Sequence, residues 1–147
     1  MTVNKELIAP CGINCAPCPL YLAQTNDDLA RDMAKRMNAP VEKVSCVGCR
    51  PAEGMPMPIK RYGKVCPTYA CAESKGIHTC AECADLPCEH LAPTHEMADK
   101  LPHNTKLFSL MVLKRDGYEA WEKYYPRLQK LYFTGKMIIG DGPKLEE

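Results

Sequence analysis

The residues able to do chemistry in this chain are its cysteines, ten in 147 residues and all of them between Cys11 and Cys88. They fall into short groups. Cys11, Cys15 and Cys18 form C-x3-C-x2-C, Cys46 and Cys49 form C-x2-C, Cys66 and Cys71 form C-x4-C, and Cys80, Cys83 and Cys88 form C-x2-C-x4-C. A C-x2-C turn reverses the chain and points two sulfurs onto one ion, and two such turns supply the four thiolates of a tetrahedral zinc site. The spacing therefore makes all ten cysteines candidate metal ligands, with about two zinc ions as the expected load.

Chain order suggests one site drawn from Cys11, Cys15, Cys18, Cys46 and Cys49 and a second from Cys66, Cys71, Cys80, Cys83 and Cys88. For the first, Cys15, Cys18, Cys46 and Cys49 form the least strained set, because they pair two C-x2-C turns. In the second, Cys80 and Cys83 are the anchors and two of Cys66, Cys71 and Cys88 complete the set. Exchange of ligands between the halves stays open. The histidines are His78, His90, His95 and His103; with cysteine already in excess none is required, and His90 is the best placed, two residues after Cys88.

Disulfides would need an oxidising compartment, and the N-terminal stretch MTVNKELIAPCG lacks the apolar run of a secretory signal. No later stretch approaches the roughly 18 consecutive apolar residues of a membrane span. The expectation is a cytoplasmic protein with reduced thiols and no membrane partner. The formal charge of +1 counts cysteine as neutral, and filled thiolate sites take it below zero. A nucleic-acid binder needs a basic surplus that this chain lacks. Lys60, Arg61 and Lys64 read as a solvated loop face, and a protein partner is the remaining expectation.

The elements that must hold these thiols are mostly helical. Two Phe and one Trp beside 13 Pro and 9 Gly leave little apolar material for an ordinary core, so metal bonds would substitute for the missing burial. The fold expected is mainly α: a small metal-stabilised cysteine-rich domain with irregular zinc-knuckle loops and a C-terminal helical pair. Residues 1–147 form one domain, with residues 10–92 the metal-binding part and 93–147 a helical part packed on it.

Residues 19–37 read as helix interrupted near Asn26, which can cap a second helix whose core stripe is Leu29, Met33 and Met37. Residues 50–64 read as a loop. Pro67 opens a helix to about Lys75, stopped by Gly76. Cys18 and Cys66 each precede a proline able to open a helix, and Cys88 follows Pro87, positions suited to ligands. Residues 105–133 form a helical pair broken at Asp116 and Gly117. Leu107, Leu110, Met111 and Lys114 line the first member, and Tyr118, Trp121, Tyr125, Leu128 and Tyr132 the second, which Pro126 should kink or shorten.

Other chemistries lack parts. C-x3-C-x2-C is also the cluster-binding spacing of radical S-adenosylmethionine enzymes, but those use a large barrel of alternating strands and helices that this short chain does not have. No strand precedes a C-x2-C as in thioredoxins. A catalytic zinc needs an open position and a proton-handling neighbour, and Glu82 and Glu89 read as ordinary exposed residues, so no catalytic residue is assigned. Two alternatives remain: an iron-sulfur electron carrier, suggested by Cys18-Pro19 and Cys66-Pro67, and a zinc-thiolate redox sensor using surplus thiols.

Taken together, CGINCAPCPLYLA, CVGCR and CPTYACAESKGIHTCAECADLPCEHL resemble a widespread bacterial and archaeal family of small cysteine-rich proteins of unknown function predicted to bind zinc. The resemblance covers residues 10 to about 91. The segment LKRDGYEAW is similar to a helix that in many relatives leads to a further cysteine pair, absent from this chain after Cys88. The resemblance implies metal binding and leaves the process open.

Overall fold

Proline and asparagine set the starts of the helices in the cysteine-rich part. The computed structural model describes residues 3–91, 103–138 and 140–145. Pro19 opens α1 (Pro19–Leu22), its missing N–H costing nothing in a first turn. Asn26 then caps α2 (Asp27–Met37), its side chain accepting from the Leu29 amide at 3.0 Å, with Asp27 and Asp28 in the first turn. Asn38 ends α2 in the left-handed conformation. The interruption expected at Asn26 is therefore present. Two further helices follow: α3 (Met57–Lys60), and α4 (Pro67–Ser74), which is stopped by Lys75 and a Gly76 at positive φ.

Two details differ from the sequence reading. The face of α2 that is buried carries Ala30 and Ala34, which cluster with Ala23 and Val44, while Leu29 and Met33 flank them and Met37 is exposed. Small residues sit deepest because α1 and the short helical turn at Val41–Lys43 both approach this face closely. The stretch read as a pure loop contains α3, because Pro56 and Pro58 hold the φ that a first helical turn needs.

The chain divides into two compact units, one of Asn4–Thr79 and a second that begins at Cys80. The second is built on α5 (His103–Thr134), interrupted at Gly117, whose φ of 78° and ψ of 176° no helix contains. The break lies where the sequence placed it. Pro126, in contrast, leaves the second segment helical throughout. Leu110, Val112, Leu113, Trp121, Leu128 and Leu131 form the core of this unit with Ala81 and Leu91, which come from the short helical turns Cys80–Glu82 and Glu89–Leu91 packed on α5.

The aromatic stripe is core at its centre. Trp121 is wholly buried, its ring 4.8 Å from that of Tyr125, and its indole N–H donates to the buried Ser109 Oγ at 2.9 Å. The stripe expected on the first segment is displaced. Met111 and Lys114 are exposed, and Ser109, Val112 and Leu113 take the interior instead, since the reversal at Gly117 turns the face holding Ser109 toward Trp121. After α5, β1 (Lys136–Ile138) pairs antiparallel with β2 (Gly142–Lys144). The sequence reading missed this hairpin; its signal is Gly140-Asp141 between two apolar-containing triplets. Among the described residues no helix is long and apolar enough to cross a membrane.

Candidate metal centre

Each thiol of the first unit is placed by a tight piece of backbone. Residues 7–15 double back, with the Ala9 amide donating to Ile13 O at 2.8 Å and the Cys15 amide to Leu7 O at 2.7 Å. An isolated bridge joins Ile8 to Asn14. Cys11 sits on the turn of this loop beside Gly12, whose φ is 84°. Cys15 leaves it, and the Cys18 amide donates back to Cys15 O at 2.9 Å. Cys18 and Cys66 are then the residues immediately before α1 and α4, Cys18 in extended conformation and both with proline next.

The Cys46–Cys49 turn is folded over this loop. Its first residue is fixed by the Cys46 amide, which donates to Leu20 O at 2.9 Å. Gly48 has a φ of 93°, and a Cβ there would lie 3.8 Å from the Cys15 sulfur. The knuckle therefore rests on Cys15, whose sulfur also receives a backbone hydrogen bond from Cys49. Cys49 is tied onward through Gly54: the Gly54 amide donates to Cys49 O at 2.9 Å, and Gly54 O accepts from the Cys66 amide at 2.8 Å.

Electrostatics report the same gathering. Burial pushes the Cys15 thiol up to about 12, followed by the charges of Cys18, Cys46 and Cys11, against the small opposing effect of the Cys49 hydrogen bond. The Cys49 thiol is pushed well above the ordinary thiol range, first by burial and then by Cys11, Cys15, Cys66 and Cys46. Cys11 and Cys46 thus act on both Cys15 and Cys49, Cys18 on Cys15 and Cys66 on Cys49. The sequence reading placed Cys66 in the C-terminal set; the structure couples it to Cys49, because Gly54 folds the intervening chain back.

Among the described residues, no three His, Cys, Asp or Glu side chains are already closed into a metal-holding group.

Arg50 follows Cys49 directly and braces the unit. Its Nη2 donates to His78 O at 2.6 Å and to Ile8 O at 3.2 Å. The Glu6 carboxylate stands 3.9 Å from its Nε, too far for a hydrogen bond, and this buried nitrogen has no such partner among the described residues. Sequence inspection missed Arg50, since nothing in CVGCR marks the arginine as buried.

The remaining candidates are placed less closely. Cys71 lies on α4, partly buried. In the second unit, Cys80 is buried, and Cys83 and Cys88 are partly buried. The Cys83 amide donates to Cys80 O at 3.1 Å, and Lys114 Nζ donates to Cys83 O at 3.4 Å. Of the histidines, His78 contacts Lys5 O through Nε2 at 2.9 Å, and His90 is exposed. His95 and the His103 side chain, like that of Tyr132, lie outside the described residues.

The family model described as protein of unknown function, DUF3795, matches residues 7–93. The chain belongs to the DUF3795 family. The matched stretch holds all ten cysteines, and it ends before α5 begins. What the DUF3795 model covers is therefore the thiol-bearing part. No curated protein and no solved structure matches the chain.

The described structure also has an open depression of about 580 Å³ at the C-terminal end of α2, lined by Arg31, Ala34, Lys35, Asn38 and Val41 among others. It contains no cysteine, and its Arg31 is spent on Asp28 at 2.6 Å.

Proposed function

We propose that this DUF3795 protein is a zinc-binding module in which cysteine thiolates hold a structural metal centre in the Asn4–Thr79 unit. The reading makes it a non-catalytic interaction or regulatory protein. One observation carries it: Cys11, Cys18, Cys46 and Cys66, spread over 56 positions of sequence, each lie near enough to Cys15, Cys49 or both for their charge to raise those thiols.

Such a gathering has a cost unless something neutral or cationic stabilises it. Burial first, and then the repulsion between neighbouring thiolates, favours the protonated form of Cys15 and Cys49. A divalent ion reverses the balance by converting mutual repulsion into shared attraction, releasing the protons as it binds. The buried apolar residues described in the same unit are Ile8, Val44 and five alanines, Ala9, Ala23, Ala30, Ala34 and Ala72, mostly small residues that bury little area. Metal-thiolate bonds would supply the missing stabilisation.

The test is elemental analysis with an ultraviolet-visible spectrum on protein purified anaerobically without added metal. Zinc without colour is the expected result. Iron with matching sulfide and absorption near about 400 nm would replace this reading with an electron-transfer cluster, and a metal-free, fully folded protein would end it.

A further inference from the structure

Between the Cys46–Cys49 knuckle and α4 the chain makes an excursion with its own support. Gly54 and Cys66 close it, the Cys66 amide donating to Gly54 O at 2.8 Å. Inside it the backbone bonds stay local: Ile59 and Lys60 donate to Pro56 O, Tyr62 to Ile59 O and Gly63 to Lys60 O. Among the described residues no backbone hydrogen bond ties residues 56–65 to the rest of the unit. A compact loop with joined ends and internal bonds of this kind is an Ω-loop, which holds its own shape on the protein surface.

Two kinds of side chain face outward from it. Met55, Tyr62 and Val65 are large apolar residues left exposed, and Tyr62, at 58%, is the most exposed of its kind among the described residues. Lys60, Arg61 and Lys64 are exposed beside them, and residues 55–65 hold no Asp or Glu. None of the three cations has a carboxylate partner among the described residues. Arg61 lies over the Tyr62 ring, its guanidinium carbon 4.8 Å from the centroid, and its Nη2 donates to Tyr62 Oη at 2.6 Å. Cation and aromatic ring are thus held together before any partner arrives.

We propose that this loop is a docking surface for an acidic segment of a protein partner, one that carries carboxylates beside apolar side chains. Such docking rests on the interaction part of the reading above and not on its metal.

Charge complementarity selects the acid. Three cations without an anion among them disfavour a basic partner, while a carboxylate can take the remaining donors of the Arg61 fork. Residue type selects protein. Tyr, Met and Arg are enriched at protein interfaces, whereas a merely solvated loop needs charge and no exposed apolar side chains. Other anions fit less well. Anionic membrane surfaces are recognised by clusters of about 4 to 8 Lys and Arg, and nucleic acid by a longer basic stripe on a basic chain; here the cations stand on a chain of formal charge +1.

The test titrates the whole chain, purified anaerobically and with its metal content measured, with a fluorescein-labelled synthetic peptide in which glutamate and aspartate flank leucine and phenylalanine. Amide resonances in proton-nitrogen correlation spectra are expected to shift within residues 55–65, and Arg61→Ala and Tyr62→Ala are each expected to weaken binding about tenfold. Lys123→Ala, which removes an exposed cation of α5, is expected to leave binding unchanged. Tyr62→Ala keeps every charge, so unchanged affinity in that variant would reduce the loop to a diffuse basic face and overturn the proposal. Shifts that fall outside residues 55–65, or no shifts, overturn it as well. Phosphatidylserine vesicles or a single-stranded oligonucleotide binding these residues more tightly than the peptide would overturn the protein partner. Absence of docking in protein that holds zinc sinks this inference alone, and docking retained in folded protein without metal sinks only the zinc reading.

Discussion

The Cys66 amide donates to the Gly54 carbonyl at 2.8 Å, and the Gly54 amide in turn donates to the Cys49 carbonyl at 2.9 Å. One glycine thus joins a cysteine at the start of α4 to the knuckle 17 positions earlier. Gly54 has a φ of 79°, and any Cβ there would overlap the Tyr69 ring and stand 2.7 Å from Val65 Cγ1.

Gly54→Ala is therefore expected to destabilise the protein by about 2 to 4 kcal/mol, combining a left-handed backbone with overpacking. Gly63→Ala is the control. Its φ is 65° but nothing lies within 4 Å of the added carbon, so only the backbone cost of about 1 kcal/mol applies. Urea unfolding of both variants checks the difference; equal losses would mean that the close approach to Tyr69 and Val65 does not matter.

How far the sequence foretold this depends on the range of the signal. The Asn26 cap, the opening of α4 at Pro67 and the break at Gly117 were legible, because each is set by residues within one helical turn. The backbone link from Cys66 to Cys49 was not, since it runs through Gly54, whose close approach to Tyr69 and Val65 is a matter of packing. Arg50 was missed for the same reason: its partners Ile8 and His78 are 42 and 28 positions away. The exposure of Met111 follows from how α5 folds back on itself, which periodicity along one segment does not contain.

Arg50→Ala should cost about 2 to 4 kcal/mol, because it strips a charged donor from two carbonyls and removes a long, largely buried side chain. Arg50→Lys should recover only part of this, an ammonium lacking the planar fork that reaches both carbonyls. Full recovery by lysine would show that charge, and not the fork, is what this position needs.

Ser109→Ala leaves the buried indole N–H of Trp121 without its acceptor at 2.9 Å. The expected loss is about 1 to 3 kcal/mol. Since Trp121 is the only tryptophan, its fluorescence reads the unfolding directly, and a shift of the unfolding midpoint to lower urea concentration is the outcome to look for.

Metal removal should separate the two units by the size of their cores. In Asn4–Thr79 the buried apolar residues described are Ile8, Val44 and five alanines, too little area to offset the entropy of ordering α2 and the loops around it. The unit beginning at Cys80 buries Trp121, Leu110, Leu113, Leu128 and Leu131, side chains each contributing on the order of 2 kcal/mol or more. A strong chelator is therefore expected to remove helical circular dichroism at 222 nm, on the order of the share carried by α1, α2 and α4, while the Trp121 emission maximum stays that of a buried indole. Emission that shifts to the red in step with the loss of helix would show instead that both cores depend on the metal, and the small-core argument for the first unit alone would fail.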